Sequence, residues 1–401
     1  MTECKKADIA VVGTGPAGFV AAMQMAKLGF STVLIGPEPS VHDGRTTALL
    51  GSSVSYLEKL GLWEAISKEG QALRVMRLID DTGRLFRAPT TEFNSAEIGL
   101  DAFGSNIDNA SLLRILRDVA QGMEDGLLIR EPRLAKSVSL VEGAVRIETE
   151  DGSLWQSRLV IAADGVNSLV RETVGIDMRK WAYPQTALVV NLHHASVSHN
   201  NASTEFHTRT GPFTLVPFKD GYCSSLVCVV TDEEAKRLKA MDREVLARAL
   251  EDRAHSIYGA FEVISEAQTY PLSGMVARRF SGPRVALIAQ SAHIFPPIGA
   301  QGLNLSLRDI ASLAEVLEDS DGKDPGSVGV LDQYERERRS DVWSRTAGVH
   351  MLNMSLISSL PFGQGARMAG LALANMVPQL RRAMMRAGLD APGKVTWLER
   401  D

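Results

Sequence analysis

"VVGTGPAG", residues 11–18, is the stretch on which the fold turns. The apolar run "ADIAVVG" from Ala7 leads into it, and "PAGFVAAMQMAKLG" continues as an amphipathic helix that stops at Gly29. "STVLIGP" from Ser31 then reads as a second buried strand. Strand, helix and strand within about thirty residues form a βαβ unit with parallel pairing. Gly13, Gly15 and Gly18 stand in the G-x-G-x-x-G spacing. Such glycines make a tight turn, let backbone approach a pyrophosphate, and allow close helix–strand packing. Pro16 and Ala17 open the helix, where free N–H groups and a partial positive charge meet a phosphate. A dinucleotide is therefore expected here. Its ribose usually meets an acidic residue at the end of the second strand. This chain has Gly36 there. Glu38 follows, and it either reaches the ribose from the loop or is a solvated carboxylate.

Downstream the texture alternates. Residues 52–70 read as helical, and "LRVMRLIDDTGRLFRAP" from Leu73 reads as two strands around a hairpin turn. A helix is expected from Asn109 to Gly122, and "VRIETEDGSLWQSRLVIAADG" has Asp151-Gly152 at a hairpin turn. Residues 185–230 carry alternating strand-like runs, followed by one charged surface helix from Asp232 to Ala254. "PRVALIAQSAH" is a buried strand again, and residues 331–388 read almost wholly helical.

The fold expected is α/β: a Rossmann-like dinucleotide-binding domain with a parallel sheet, interleaved with an antiparallel β-sheet substrate domain and followed by C-terminal helices. The first comprises residues 1–72, 101–180 and 276–340, the second 73–100 and 181–275, and the helical region 341–401.

Length and composition narrow the classes. A chain of 401 residues suits two packed units, and a net charge of −5 gives no reason to expect nucleic acid. Cys4, Cys223 and Cys228 form neither a disulfide framework nor a zinc motif, so a reducing compartment fits and no metal site is expected. No secretory signal and no run of roughly 18 apolar residues is present, which predicts a cytoplasmic protein. Peripheral contact at the inner membrane face stays open.

A second segment, "IFPPIGAQGLNLSLRD" from Ile294 to Asp309, sets two prolines before two glycines at the mouth of a helix. Together with "VVGTGPAG", "DGRTTAL" (43–49) and "IAADGVNSLVR" (161–171), it resembles the single-component flavoprotein aromatic hydroxylases. The ubiquinone-biosynthesis branch of the para-hydroxybenzoate hydroxylase class is the nearest in pattern, and the match covers nearly the whole chain.

The resemblance implies FAD, with NAD(P)H as a transient co-substrate that reduces it before dioxygen is used to hydroxylate an electron-rich ring. It implies that backbone amides of Gly302, Leu303 and Asn304 stabilise negative charge on reduced flavin. Pro296 and Pro297 would fix the wall facing the ring, and Gly299 and Gly302 would permit its approach. Arg45 resembles the arginine that reaches the diphosphate, and Asp164-Gly165 the turn that contacts flavin pyrophosphate and nicotinamide. Arg171 would support that turn.

Where relatives carry Gly-Asp, this chain has Ala289-Gln290, so Gln290 replaces a charged ribityl anchor by a neutral one. With Gly36, this predicts looser FAD binding than in typical relatives. His293 is either a base beside the flavin or a histidine bonded to nearby backbone. Phe206, Phe213, Leu215 and Pro217 are the substrate-side candidates, at strand positions that either face the ring or fill the sheet core. No catalytic acid or base is assigned.

The expected partner is a small aromatic substrate, polyprenylated in the ubiquinone branch. A homo-oligomer or a biosynthetic complex is left open. Residues 366–388 pair an apolar face with Arg381, Arg382 and Arg386, as either a membrane-surface helix or a packed one. Two other functions remain: the same scaffold acting on another aromatic compound, and a non-catalytic accessory protein with weakened flavin anchors.

Overall fold

The computed structural model describes residues 4–39, 44–83, 87–123, 126–296, 301–357 and 376–389. Strand Cys4–Val12 lies inside an eight-stranded sheet, paired in parallel with Thr32–Ile35 on one side and Leu154–Ala162 on the other. Leu128–Glu131 and Val285–Leu287 extend the parallel part outward. Helices cover these strands, and Ile9, Ala10, Val11 and Val12 are all buried, which is why the run is uniformly apolar rather than alternating. Helix Pro16–Lys27 packs between this sheet and helix Gln301–Asp319 in one core that includes Phe19, Leu305 and Tyr334.

A nine-stranded sheet forms the second layer. Its central order is Gln268–Ala277, Met178–His194, Cys223–Val230, Pro212–Phe218, Ala202–His207, Val75–Asp80, Thr91–Asn94. Most pairings are antiparallel as expected, but Ala202–His207 pairs with Val75–Asp80 in parallel. That junction joins two distant segments of chain, so no hairpin dictates its direction. The hairpin partner of Val75–Asp80 is Thr91–Asn94, not the run that begins at Arg84. Residues 84–86 of that run lie outside the described residues.

The expected single charged helix is two, Asp232–Lys239 and Arg243–Arg253. Thr231 caps the first by accepting from the Glu234 amide at 3.3 Å, and Asp242 stands at the N-cap position of the second. Both helices lie on one face of the nine-stranded sheet. A small antiparallel sheet of Thr46–Leu50, Gly104–Asp108 and Gln71–Leu73 sits beside the two layers.

Toward the C-terminus, helix Val328–Ile357 is followed by Pro378–Leu389. Met385 and Leu389 of the latter pack with Phe93 and Phe103, and Arg381 donates to Glu97 at 2.6 Å. Among the described residues no helix is long and apolar enough to cross a membrane.

Candidate active site

A cavity of 830 Å³ runs along the seam between the layers, within the size range of ligand clefts. Gly15, Pro16, Ala17, Gly18, Arg45, Ala163 and Gly165 line one end, and Gln290, His293, Pro296, Gly302 and Leu303 the middle. Met76, Leu78, Phe93, Phe103, Met384, Met385 and Leu389 close the far end with apolar surface.

The glycine turn is shaped by close approach. A Cβ at Gly13 would stand 2.2 Å from the Ala163 carbonyl oxygen, and one at Gly18 would stand 1.8 Å from that of Gly13. Both positions therefore need bare backbone. Gly13 sits behind the cavity wall and Gly15 on it. Gly15 is the N-cap and offers no side chain, so the first amides of helix Pro16–Lys27 are left to face the cavity.

Gly36 has a local reason. A Cβ there would meet the Thr14 side chain at 2.8 Å, and Thr14 Oγ1 donates to the Pro37 carbonyl at 2.6 Å. Glu38 does not line the cavity. Its carboxylate pairs with Arg130 on the outermost parallel strand, and that guanidinium lies 5.8 Å from the Phe19 ring. The ion pair binds loop to strand, so the solvated-carboxylate alternative describes Glu38 better than the ribose contact.

Across the seam, Asp164 Oδ2 accepts from the Val170 amide at 3.1 Å while Oδ1 is buried with no partner among the described residues. Burial pushes this carboxyl above the usual carboxylate range. Arg171 donates to the carbonyls of Ser291 and Val166 at 3.1 and 2.9 Å, tying the two loops on that side as expected of a supporting residue.

Ala289 adopts φ 55°, a left-handed conformation that costs a side-chain-bearing residue energy. Its amide donates to Asp309 Oδ2 at 2.9 Å, and the next residue, Gln290, projects exposed beside the cavity. The same Asp309 oxygen lies 2.7 Å from His293 Nε2, and its other oxygen accepts from Arg338 Nε at 2.9 Å. Arg338 Nη1 in turn donates to Asp341 at 2.8 Å. Burial alone would raise the Asp341 carboxyl, but Arg338 and Arg345 hold it below the usual range. His293 is thus held by a buried carboxylate, an arrangement that neither sequence alternative for it contained.

Gly302 and Leu303 reach the cavity at the start of helix Gln301–Asp319, whereas the Asn304 side chain does not. It donates to the Ala48 carbonyl at 2.7 Å and accepts from the Leu50 amide at 3.1 Å, pinning that strand to the helix. Pro297 and Gly299 lie outside the described residues.

The substrate-side candidates need correction. Phe206, Phe213 and Leu215 face away from the cavity into a cluster with Leu238, Leu246 and Leu250 of the two covering helices. Pro217 is buried, and its carbonyl accepts from Asn106 Nδ2 at 2.8 Å. Ser203, Glu205, Thr214, Val216 and Val227 are the residues of these strands that face the cavity. Of the two alternatives for Phe206, Phe213 and Leu215, filling the sheet core is the one the structure shows, and period-two alternation places the cavity-facing set between them.

A family model described as an FAD binding domain matches residues 6–348. Ubiquinone hydroxylase UbiL of Rhodospirillum rubrum is 30% identical over 95% of this chain and 89% of its own length. The chain belongs to the ubiquinone-hydroxylase family of FAD-dependent monooxygenases. The 3-demethoxyubiquinol 3-hydroxylase of Escherichia coli K12 is 27% identical to this hydroxylase over 95% of the chain and 98% of its own length. In fold, p-nitrophenol 4-monooxygenase from Pseudomonas putida DLL-E4 superposes with a TM-score of 0.79 at 18% identity, covering 97% of this chain and 100% of that one. The hydroxylase is thus a flavoenzyme that takes FAD as its cofactor and NAD(P)H as the reductant typical of its class.

The glycine turn fits that cofactor: bare backbone at Gly18 and an uncapped helix start border the cleft, with Gly13 behind its wall and Asp164 between the lining residues Ala163 and Gly165.

Proposed function

We propose that this hydroxylase inserts one oxygen atom into the ring of a prenylated phenol, with FAD held between the glycine turn and the start of helix Gln301–Asp319. The observation that carries the reading is the continuity of that cavity, from a phosphate-binding turn to an apolar end closed by Phe93, Phe103, Met384, Met385 and Leu389. The pyrophosphate would lie against the amides of Gly15, Ala17 and Gly18, within reach of Arg45 and the Asp164-Gly165 turn. Gln290 would meet the ribityl chain, and Pro296, Gly302 and Leu303 would border the flavin ring.

Bound FAD supplies the redox chemistry, taking a hydride from NAD(P)H and activating dioxygen. The protein's part is electrostatic and steric. Helix-start amides at Gly302 and Leu303 hold negative charge without a basic side chain. The sheet face of Thr214, Val216 and Val227 excludes water from the ring.

The apolar end supports a prenyl chain rather than a bare phenol, because burying methylene groups there returns about 0.8 kcal/mol each. Helix Pro378–Leu389 supports delivery from a membrane surface. Leu380 and Met384 are exposed on it and Met376 just before it, with Arg386 exposed and Arg382 beside it, while Met385 and Leu389 turn inward.

The test supplies FAD-loaded protein with NADPH and either a prenylated phenol or the same phenol without its side chain. Gain of one oxygen in the prenylated product by mass spectrometry is expected. Cofactor oxidation that yields only hydrogen peroxide with every phenol would sink the reading.

A further inference from the structure

Glu205 is the one carboxylate among the described residues that line the cavity. It stands in a cross-strand row with Leu78 on one side, and Thr214 and then Val227 on the other. Its Oε1 lies 2.8 Å from His207 Nε2, and its Oε2 accepts from Thr214 Oγ1 at 3.3 Å. The side chain keeps 24% exposure, while that of His207 behind it keeps 8%. Among the described residues no arginine or lysine pairs with Glu205, since the nearby Arg77 is engaged with Glu92 at 2.6 Å.

A carboxylate in such surroundings is costly unless its lone pairs are used. An ionised carboxylate offers about four acceptor positions, and two are taken here by protein donors. The remaining positions suit a ligand that brings a donor.

We propose that Glu205 accepts the hydrogen bond of the substrate's phenolic hydroxyl and thereby fixes which ring carbon is presented for hydroxylation. This inference rests on the phenol-hydroxylase reading above. His207 is a positioning residue that holds the carboxylate turned into the cavity, and Thr214 shares that task. A hydrogen bond to a carboxylate also raises electron density on the phenolic oxygen and hence on the ring positions conjugated with it. The ring then reacts more readily with an electrophilic oxygen. The O–H bond need not break: the proton is shared, and the hydroxyl leaves intact with the product.

The experiment uses FAD-loaded protein with a short-chain 2-prenylphenol and its O-methyl ether, which has the same shape and no donor. Binding is read by equilibrium dialysis and product position by mass spectrometry and NMR. Wild type is expected to bind the phenol about ten- to a hundredfold more tightly than the ether, as a hydrogen bond to a charged group implies. Glu205→Gln should bring that ratio to about threefold or less. It should leave ether affinity and FAD content unchanged and scatter the hydroxylation position. Glu205→Asp, which keeps the charge one methylene back, should retain part of the preference.

A wild-type preference that survives in Glu205→Gln overturns the inference, as does equal loss of phenol and ether binding. In both cases wild-type hydroxylation would leave the parent reading standing. Wild-type protein that neither binds nor hydroxylates the phenol overturns both.

Discussion

The two faces of the nine-stranded sheet are made by the same strands and have opposite fates. One presents Phe206, Phe213 and Leu215 to the helices Asp232–Lys239 and Arg243–Arg253 and is packed into a buried apolar core. The other presents Ser203, Glu205, Thr214, Val216 and Val227 to the cavity. A face that must be filled permanently carries large apolar groups. A face completed by a ligand keeps small and polar ones, because the ligand brings the missing bulk. Size in a strand next to a site therefore points to the core, and the residues between the large ones point to the chemistry.

The sharpest way to break this contrast is Phe213→Ala. The ring is 2% exposed and sits edge-on to Phe206 at 5.7 Å, so about 3–5 kcal/mol of stability should be lost in urea unfolding. A cost under about 1 kcal/mol would mean that face is not a packed core.

On the opposite face, Val216→Phe should leave the unfolding midpoint and the FAD content almost unchanged. Turnover of a prenylphenol should fall about tenfold or more as the ring loses room. If stability collapses instead, the cavity face is as tightly packed as the other.

Gln290→Asp carries the comparison to the cofactor end. A charge-assisted bond to the ribityl chain should tighten FAD about five- to tenfold in a fluorescence titration. Unchanged affinity would remove Gln290 from the list of anchors.

The smallest effect concerns Asp164, whose carboxyl burial holds above its ordinary value. Because the folded state resists its ionisation, the group's contribution to stability is best below the unfolded pKa. It falls as pH rises toward the folded one. Asp164→Asn keeps an acceptor for Val170 and removes that slope. The apoprotein variant should gain up to about 1 kcal/mol on wild type as pH rises from about 4 to 7. A constant difference across that window would show that burial does not govern the group.

Legibility in the sequence followed distance along the chain. The glycine turn, its flanking strand and helix, and the Asp151-Gly152 hairpin are local patterns, and each appears in the structure where the residues placed it. The parallel pairing of Val75–Asp80 with Ala202–His207 is not local, and neither strand carries a mark of its partner. Glu38 stood at a plausible distance from the turn for a ribose contact, yet Arg130, 92 residues away, takes its carboxylate. Asp309 likewise gave no sign that it would join His293, Ala289 and Arg338, since their union needs the tertiary fold. Gly36 leaves the ribose without an acidic anchor in the sequence, and the structure adds that Thr14 leaves no space for a side chain there.

The chamber is walled at one end by residues 15–18 and at the other by residues 384, 385 and 389. A ribosome emits the first set of these groups long before the second. The nascent chain therefore carries its phosphate-binding residues for a long stretch of synthesis while the roof over the greasy end does not yet exist. Sealing of the compartment waits for helix Pro378–Leu389 to dock and clasp Glu97 through Arg381, so deleting that helix would leave a vessel without a stopper.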